Sequence, residues 1–396
     1  TENNFAQQSP KEKEHQNLIA DLNEAYQVGG YLYQIQYYQS QKYLSDLPNY
    51  ENAKKIVKNM LSGQQKLSIK DAYFTIESAY GNLHLTYEEY NNIINTNVKF
   101  IKQWLTEQGL DIRNPEALHY GIQHFMSDTL KLVHTKIDDP FSGKFTTTHV
   151  PYYYDYIDYT AEKDKRNYFV TKTLATGTGQ CHTLPVTYLI LAEALGVEAY
   201  LSYNPQHSFI QFKNSKGVMI NYETTVGQFM TDQFYLETLP VMATAKKNEL
   251  YLQTLTKQQV VATTLIDLAV NFTREHWVGN KTFIKDCMNT ASQYFPETEY
   301  INTSSHYLHR KLYANDINNI VQEKGLKELN EIPNSPEALK IYNEYQAYMD
   351  RVNQLGFQDF PEHEYMRLME YHDKKGILQV SKKINTKTKK SLFLTY

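Results

Sequence analysis

The stretch Thr176-Gly177-Thr178-Gly179-Gln180-Cys181-His182 constrains this chain more than any other. Its glycines read as a turn. Beyond it, Leu184, Tyr188, Leu191, Ala192 and Leu195 recur at helical spacing. Pro185 is tolerated only in the first turn of a helix, which puts the helix start at or near Cys181. Gly196 then reads as the stop. A cysteine at that position sits by the orphan N–H groups of the first turn and the positive end of the helix dipole. Both favour thiolate over thiol.

Beyond Gly196 the pattern turns to sheet. Val197–Tyr203 is a strand and Asn204-Pro205-Gln206 a turn. His207–Phe212 alternates, with His207, Phe209 and Gln211 on one face. Asn214-Ser215-Lys216-Gly217 is a hairpin turn, and Val218–Glu223 pairs back. Asn221 and Glu223 are two apart and share a face. One helix followed by an antiparallel meander is an α+β pattern.

The flanks read as helical. Glu14–Leu47 carries an amphipathic pattern broken near Gly29-Gly30, followed by Asn49–Leu61 and Ser68–Tyr80. Thr86–Gln108 opens on a capping-box signal, and Asn114–Leu132 opens on an Asn N-cap with Pro115 after it. Lys136–Lys163 is irregular, and Asn167–Leu174 is a short helix into the glycine turn. Helices resume at Lys257–Phe272, Lys281–Tyr294, Ser304–Glu323, Pro336–Leu355 and Pro361–Lys374, ahead of a basic and apolar Ser381–Tyr396. The chain therefore divides into a helical N-terminal region (1–110), a core (111–240) and a C-terminal helical region (241–396). Prolines between the last helices suggest stacked hairpins, a tetratricopeptide-like helical repeat.

Composition excludes some classes. A net charge of −4 lacks the basic excess of a nucleic-acid binder. Apolar runs such as Leu184–Leu195 are too short to span a bilayer, so no transmembrane segment is expected. Two cysteines make no disulfide framework, and Cys287, beside Ile284 and Met288, reads as core. Cys181, His182 and His207 lack the fourth ligand that zinc usually takes, so neither metal nor cofactor is expected. The polar stretch Thr1–His15 reads as the tether of a mature exported protein, periplasmic or surface-bound.

A thiol nucleophile needs a lowered pKa, a nearby base, and a group that holds the base in the right tautomer. Cys181 meets the first need and His207 the second. Glu223 or Asn221 meets the third, and a carboxylate there would also favour imidazolium beside thiolate. The backbone N–H of Cys181 and the Gln180 side chain are candidate oxyanion donors. His182 and Tyr154 are candidate substrate contacts. Tyr154 lies in the cluster Tyr152–Tyr159, one of the densest parts of a chain with 34 tyrosines.

Gly179-Gln180-Cys181, the helix ending in Leu195-Gly196-Val197, His207-Ser208-Phe209-Ile210 and Asn221-Tyr222-Glu223-Thr224-Thr225 resemble the transglutaminase-like core of the papain-like thiol superfamily. The resemblance covers about 168–232 and is nearest a bacterial branch with a Gly-Gln-Cys-His start and an Asn-x-Glu-x-Thr third motif. That family sets its cysteine at a helix start and its histidine and aspartate on consecutive strands. Glu223 stands here in the aspartate slot. The resemblance implies a cysteine hydrolase or acyltransferase acting on an amide in a peptide or protein, a cell-wall peptide among the candidates. The rival expectation is a binding or scaffold protein that retains the core and uses its helices to hold partners.

Overall fold

The fold is taken from a computed structural model. It describes residues 16–24, 36–134, 145–238, 243–296, 303–325 and 334–357. The expectations for Thr1–His15, the break at Gly29-Gly30, Pro361–Lys374 and Ser381–Tyr396 lie outside the described residues.

Helices come first: α1 (Gln41–Leu61), α2 (Ile69–Tyr80), α3 (Tyr87–Glu107) and α4 (Pro115–Ser127). Each starts on a residue whose side chain accepts an orphan N–H: Ser40, Ser68, Thr86 and Asn114. Thr86 and Glu89 complete the capping box. α1 differs from the expected pair of helices because it runs through Pro48. Proline removes the bond to the Leu44 carbonyl, but Pro48 and Leu44 both lie on the exposed face, where water can take that carbonyl.

A hairpin follows, β1 (Leu130–His134) with β2 (Phe145–His149), antiparallel. The expected helix over Asn114–Leu132 thus stops at Ser127. Leu130 and Leu132 are buried while Lys131 and Val133 face out, a period of two. β3 (Tyr153–Tyr154) runs parallel to β4 (Thr178–Gly179). Between them lie a 3₁₀ turn at Lys165–Tyr168 and α5 (Val170–Thr176), in place of one helix over Asn167–Leu174.

α6 (Thr183–Leu195) is buried on nearly every side. It packs against α2, α3, α4, α5 and the two strands that come after it. The sheet has the order β5 (Tyr200–Asn204), β6 (His207–Lys213), β7 (Met219–Glu223), β8 (Gln228–Met230), all antiparallel. The fourth strand was not expected. Register pairs Gln211 with Asn221 and Asn204 with His207. The outer edge of β5 is covered by backbone bonds from Leu252 and Leu255 to Tyr203 and Leu201.

α7 (Asp232–Thr238) and α8 (Ala243–Lys247) lead to α9 (Lys257–His276), α10 (Lys281–Tyr294), α11 (Thr303–Lys324) and α12 (Pro336–Leu355). The larger core runs from Tyr43 to Leu312 and joins the N-terminal helices, the sheet, α9 and α10. A smaller core gathers Leu18, Leu22, Ile317, Tyr345 and Val352. The result is an α+β fold with helical flanks around a central helix and sheet. Among the described residues no helix is long and apolar enough to cross a membrane.

Two carboxylates lock helix starts across this core. Glu193 of α6 accepts the N–H groups of Ile69 and Lys70 at the start of α2. Glu77 of α2 accepts those of Val170 and Thr171, at 2.6 and 3.0 Å, at the start of α5. α5 has no side-chain cap of its own. Its far end, Gly177 at φ 72°, opens the glycine turn. The turn is therefore held through α5 and α2 by the same helix α6 that it starts.

Candidate active site

The glycine turn is clamped on three sides. Tyr153 donates its N–H to the Gly177 carbonyl and Asp155 to that of Gly179, both at 2.8 Å. Lys172 bridges Asp155 and the Thr178 hydroxyl. Below Gly179, the Thr173 hydroxyl donates to Thr183 Oγ1 at 2.8 Å, and that oxygen accepts the Gln180 N–H. A Cβ on Gly179 would stand 2.6 Å from Thr183 Oγ1 and 2.9 Å from Thr173 Cγ2. Glycine is required there for close approach.

Cys181 precedes the N-cap His182, so the assigned helix begins two residues later, at Thr183. The Gln180 carbonyl already accepts the Leu184 N–H, so the first turn wraps over Cys181. Pro185 lies in that first turn, where its missing N–H costs nothing. The Ser208 hydroxyl donates to the Cys181 carbonyl at 2.5 Å, tying the cysteine to β6. The sulfur lies 3.7 Å from the Gln206 carbonyl, in the turn just before His207.

His207 joins two partners. Its Nε2 is 2.6 Å from Glu223 Oε2. Cys181 is the other group that acts on the ring, and like Glu223 it favours the imidazolium. Burial works against the imidazolium, but the Glu223 charge and these interactions outweigh it, and the His207 pKa is raised well above its ordinary 6.5. Burial likewise works against the Glu223 carboxylate. His207 and Thr225 overcome it and hold that pKa below the usual range. Glu223 Oε1 accepts from the Thr225 N–H and hydroxyl, at 3.1 and 2.8 Å, and Oε2 accepts from the Tyr235 hydroxyl at 3.2 Å. Tyr235 of α7 lies flat on Phe209, with ring centroids 4.3 Å apart.

The other candidates lie elsewhere. Asn221 accepts from Gln211 and donates to Asp232, each within 2.9 Å, so its amide is directed away from His207. Gln180 is buried, and its amide donates to the Asp158 carbonyl at 2.8 Å, which anchors a loop instead of facing the sulfur. Tyr154 is buried in β3 against Tyr156. His182 faces Asp267 of α9, Nε2 to Oδ2 3.6 Å, and packs on Tyr73. Cys287 is a free thiol in the core, its pKa pushed up by burial.

Cys181 and His207 line a cavity of about 620 Å³ with His182, Asn204, Asp267 and Arg274. Of the tyrosine cluster Tyr152–Tyr159, only Tyr159 lines it. Its far wall comes from α11 and α12, including Tyr307 and Tyr345, which sequence motifs gave no means of placing at a site. Among the described residues no group of His, Cys, Asp and Glu is arranged to hold a metal.

A family model described as transglutaminase-like superfamily matches residues 154–265, from β3 into α9. Residues 154–265 are a transglutaminase-like superfamily domain. No similar curated protein and no similar solved structure was found. The transglutaminase-like domain extends on both sides of the 168–232 stretch carried by the motifs. It begins at Tyr154, in the strand beside the turn, and ends at Leu265 within α9, two residues short of Asp267.

Proposed function

We propose that the transglutaminase-like domain is a thiol hydrolase or acyltransferase acting on an amide bond of a peptide or protein. One observation carries the reading: the His207 ring is hydrogen-bonded to the Glu223 carboxylate and interacts with Cys181, and Cys181 and His207 line one cavity. Glu223 is the group that holds the imidazole, since Asn221 is bonded to Gln211 and Asp232.

The Cys181 thiolate attacks the substrate carbonyl, and the C=O pair moves onto oxygen. The Cys181 N–H, at the head of α6, donates to that oxyanion. Collapse of the tetrahedral adduct breaks the C–N bond, and the imidazolium of His207 gives its proton to the leaving amine. A thioester remains on Cys181. Water or a second amine attacks it, His207 takes the proton of that nucleophile, and the thiolate leaves. Water yields a carboxylic acid and an amine yields a new amide. Glu223 keeps the imidazole in place and favours its charged form throughout.

The test is alkylation by iodoacetamide, followed by peptide mapping. Wild type is expected to label at Cys181 faster than free cysteine below pH 7, Cys181→Ala not at all, and His207→Asn at the rate of an ordinary thiol. Equal rates for wild type and His207→Asn across the pH range would sink the reading.

A further inference from the structure

The cleft holds two side chains that the sulfur chemistry does not use. α9 carries Asp267, Asn271 and Arg274 at spacings of four and three, one stripe along the cavity wall. The Arg274 guanidinium lies over the Tyr168 ring, 4.7 Å from its centroid. Tyr168 in turn lies close enough to Cys181 to feel its charge.

Arg274 has no carboxylate within ion-pair distance among the described residues. The other arginine on the cavity, Arg310, is tied to Asp21. Glu77, also on the cavity, is occupied by the Val170 and Thr171 N–H groups. Arg274 is therefore a permanently charged planar fork, oriented by an aromatic face, with donors to spare in a half-buried wall. That geometry suits a carboxylate, which can accept two parallel N–H bonds.

The second side chain is Asn204. It is 2 % exposed and lines the same cavity. Neither Oδ1 nor Nδ2 has a hydrogen-bond partner. It sits directly opposite His207 in the β5–β6 register. A buried carboxamide without partners is costly to fold. One donor and one acceptor are the complement of a peptide group.

We infer that Arg274 binds a carboxylate of the substrate and Asn204 the peptide group beside it, so that the cleft selects peptides carrying a negative charge close to the amide that Cys181 attacks. The inference rests on the proposed role of Cys181 and narrows it to a substrate class. The carboxylate could be an acidic side chain or a free C-terminus.

Calorimetric titration of full-length Cys181→Ala separates these cases without turnover. The probes are acetyl-Ala-Ala-Ala with a free acid, the same peptide as its amide, and acetyl-Ala-Glu-Ala amide. One or both acidic peptides are expected to bind about tenfold tighter than the neutral amide, as for a charge-assisted pair. Whichever does so identifies the source of the carboxylate. Adding Arg274→Gln is expected to erase the preference, and Arg274→Lys, which keeps charge but loses the fork, to restore part of it. Asn204→Ala is expected to weaken all bound peptides without lowering the melting temperature, since no internal bond is lost. Equal binding of the neutral and acidic peptides, or no binding by any, overturns the inference. The nucleophile reading is tested separately on wild-type alkylation, so the two can fail independently.

Discussion

Nε2 of His207 and Oε2 of Glu223 lie 2.6 Å apart, across two paired strands, with Glu223 held by three further hydrogen bonds. The carboxylate is thus fixed before it meets the imidazole. A fixed charge in a buried setting shifts a pKa more than a mobile one, because no rearrangement is needed to accommodate it. The raised pKa of His207 and the lowered pKa of Glu223 both draw on this contact, with Cys181 adding to the first and Thr225 to the second.

Glu223→Gln removes the charge and keeps the shape. With the carboxylate gone, burial dominates and draws the His207 pKa down. In the proposed mechanism the reactive form is thiolate beside imidazolium, so its alkaline limit tracks that pKa. The iodoacetamide rate at neutral pH is expected to fall by about 10²-fold or more. Its alkaline limb is expected to move to lower pH. A profile that superimposes on wild type would remove Glu223 from the mechanism.

The same contact has a stability signature. Glu223, with its pKa lowered on folding, stabilises above about pH 4.5, and this is lost as pH falls through the folded value. His207, with its pKa raised, stabilises below about pH 6.5, and this is lost as pH rises through the folded value. The gap in melting temperature between wild type and Glu223→Gln is therefore expected to be widest between these two values and to narrow on both sides. A gap that does not vary with pH would mean that packing, not charge, accounts for the loss.

Gly179→Ala probes the floor of the cysteine turn. The added methyl meets Thr183 and Thr173 oxygens at 2.6 and 2.8 Å, both engaged in the bond that supports Gln180. Over-packing of this kind costs about 1–3 kcal/mol. Urea denaturation is expected to register that loss, and Cys181 alkylation is expected to slow because the turn must move. An unchanged midpoint would show that the threonines yield freely.

Ser208→Ala tests the tie between the cysteine and the histidine strand. Its hydroxyl satisfies the Cys181 carbonyl at 2.5 Å. Losing it costs about 1–3 kcal/mol if the carbonyl stays unpaired. Separation of Cys181 from His207 should show as a lower alkylation rate at pH 6, where the pair matters most. Loss of stability with an unaltered rate would make Ser208 a fold residue alone.

The local signals in the sequence read well, and the distant ones did not. Caps at Thr86 and Asn114, the first-turn Pro185 and the His207–Glu223 face all rest on neighbours or on strand periodicity. The hairpin β1–β2 was hidden because Leu130 and Leu132 continue an apolar pattern that a helix also satisfies. Asn221 could be placed on a strand face and Gln180 in the glycine turn from sequence, but their partners Asp232 and Asp158 could not be anticipated, and those partners decide where the amides point. The cavity wall from α11 and α12 has no local motif at all, since nothing in an amphipathic helix tells which surface it will cover.

Glu77 is the clearest of these distant features, and it yields a final test. It caps α5 from 93 residues away, with its pKa raised to about 7 by burial against the pull of the Thr171 and Val170 bonds. Glu77→Ala leaves two buried N–H groups unpaired at the head of the helix that carries the glycine turn. The expected loss is about 2 kcal/mol in a denaturant titration. A carboxyl whose pKa is raised on folding binds its proton more tightly in the folded state, so its contribution to stability falls as pH rises from about 4.5 through about 7. Wild type should therefore lose melting temperature over that range relative to Glu77→Gln, which cannot titrate. Parallel melting curves for the two across that range would mean that Glu77 is ionised throughout, held by its N–H bonds rather than pushed up by burial.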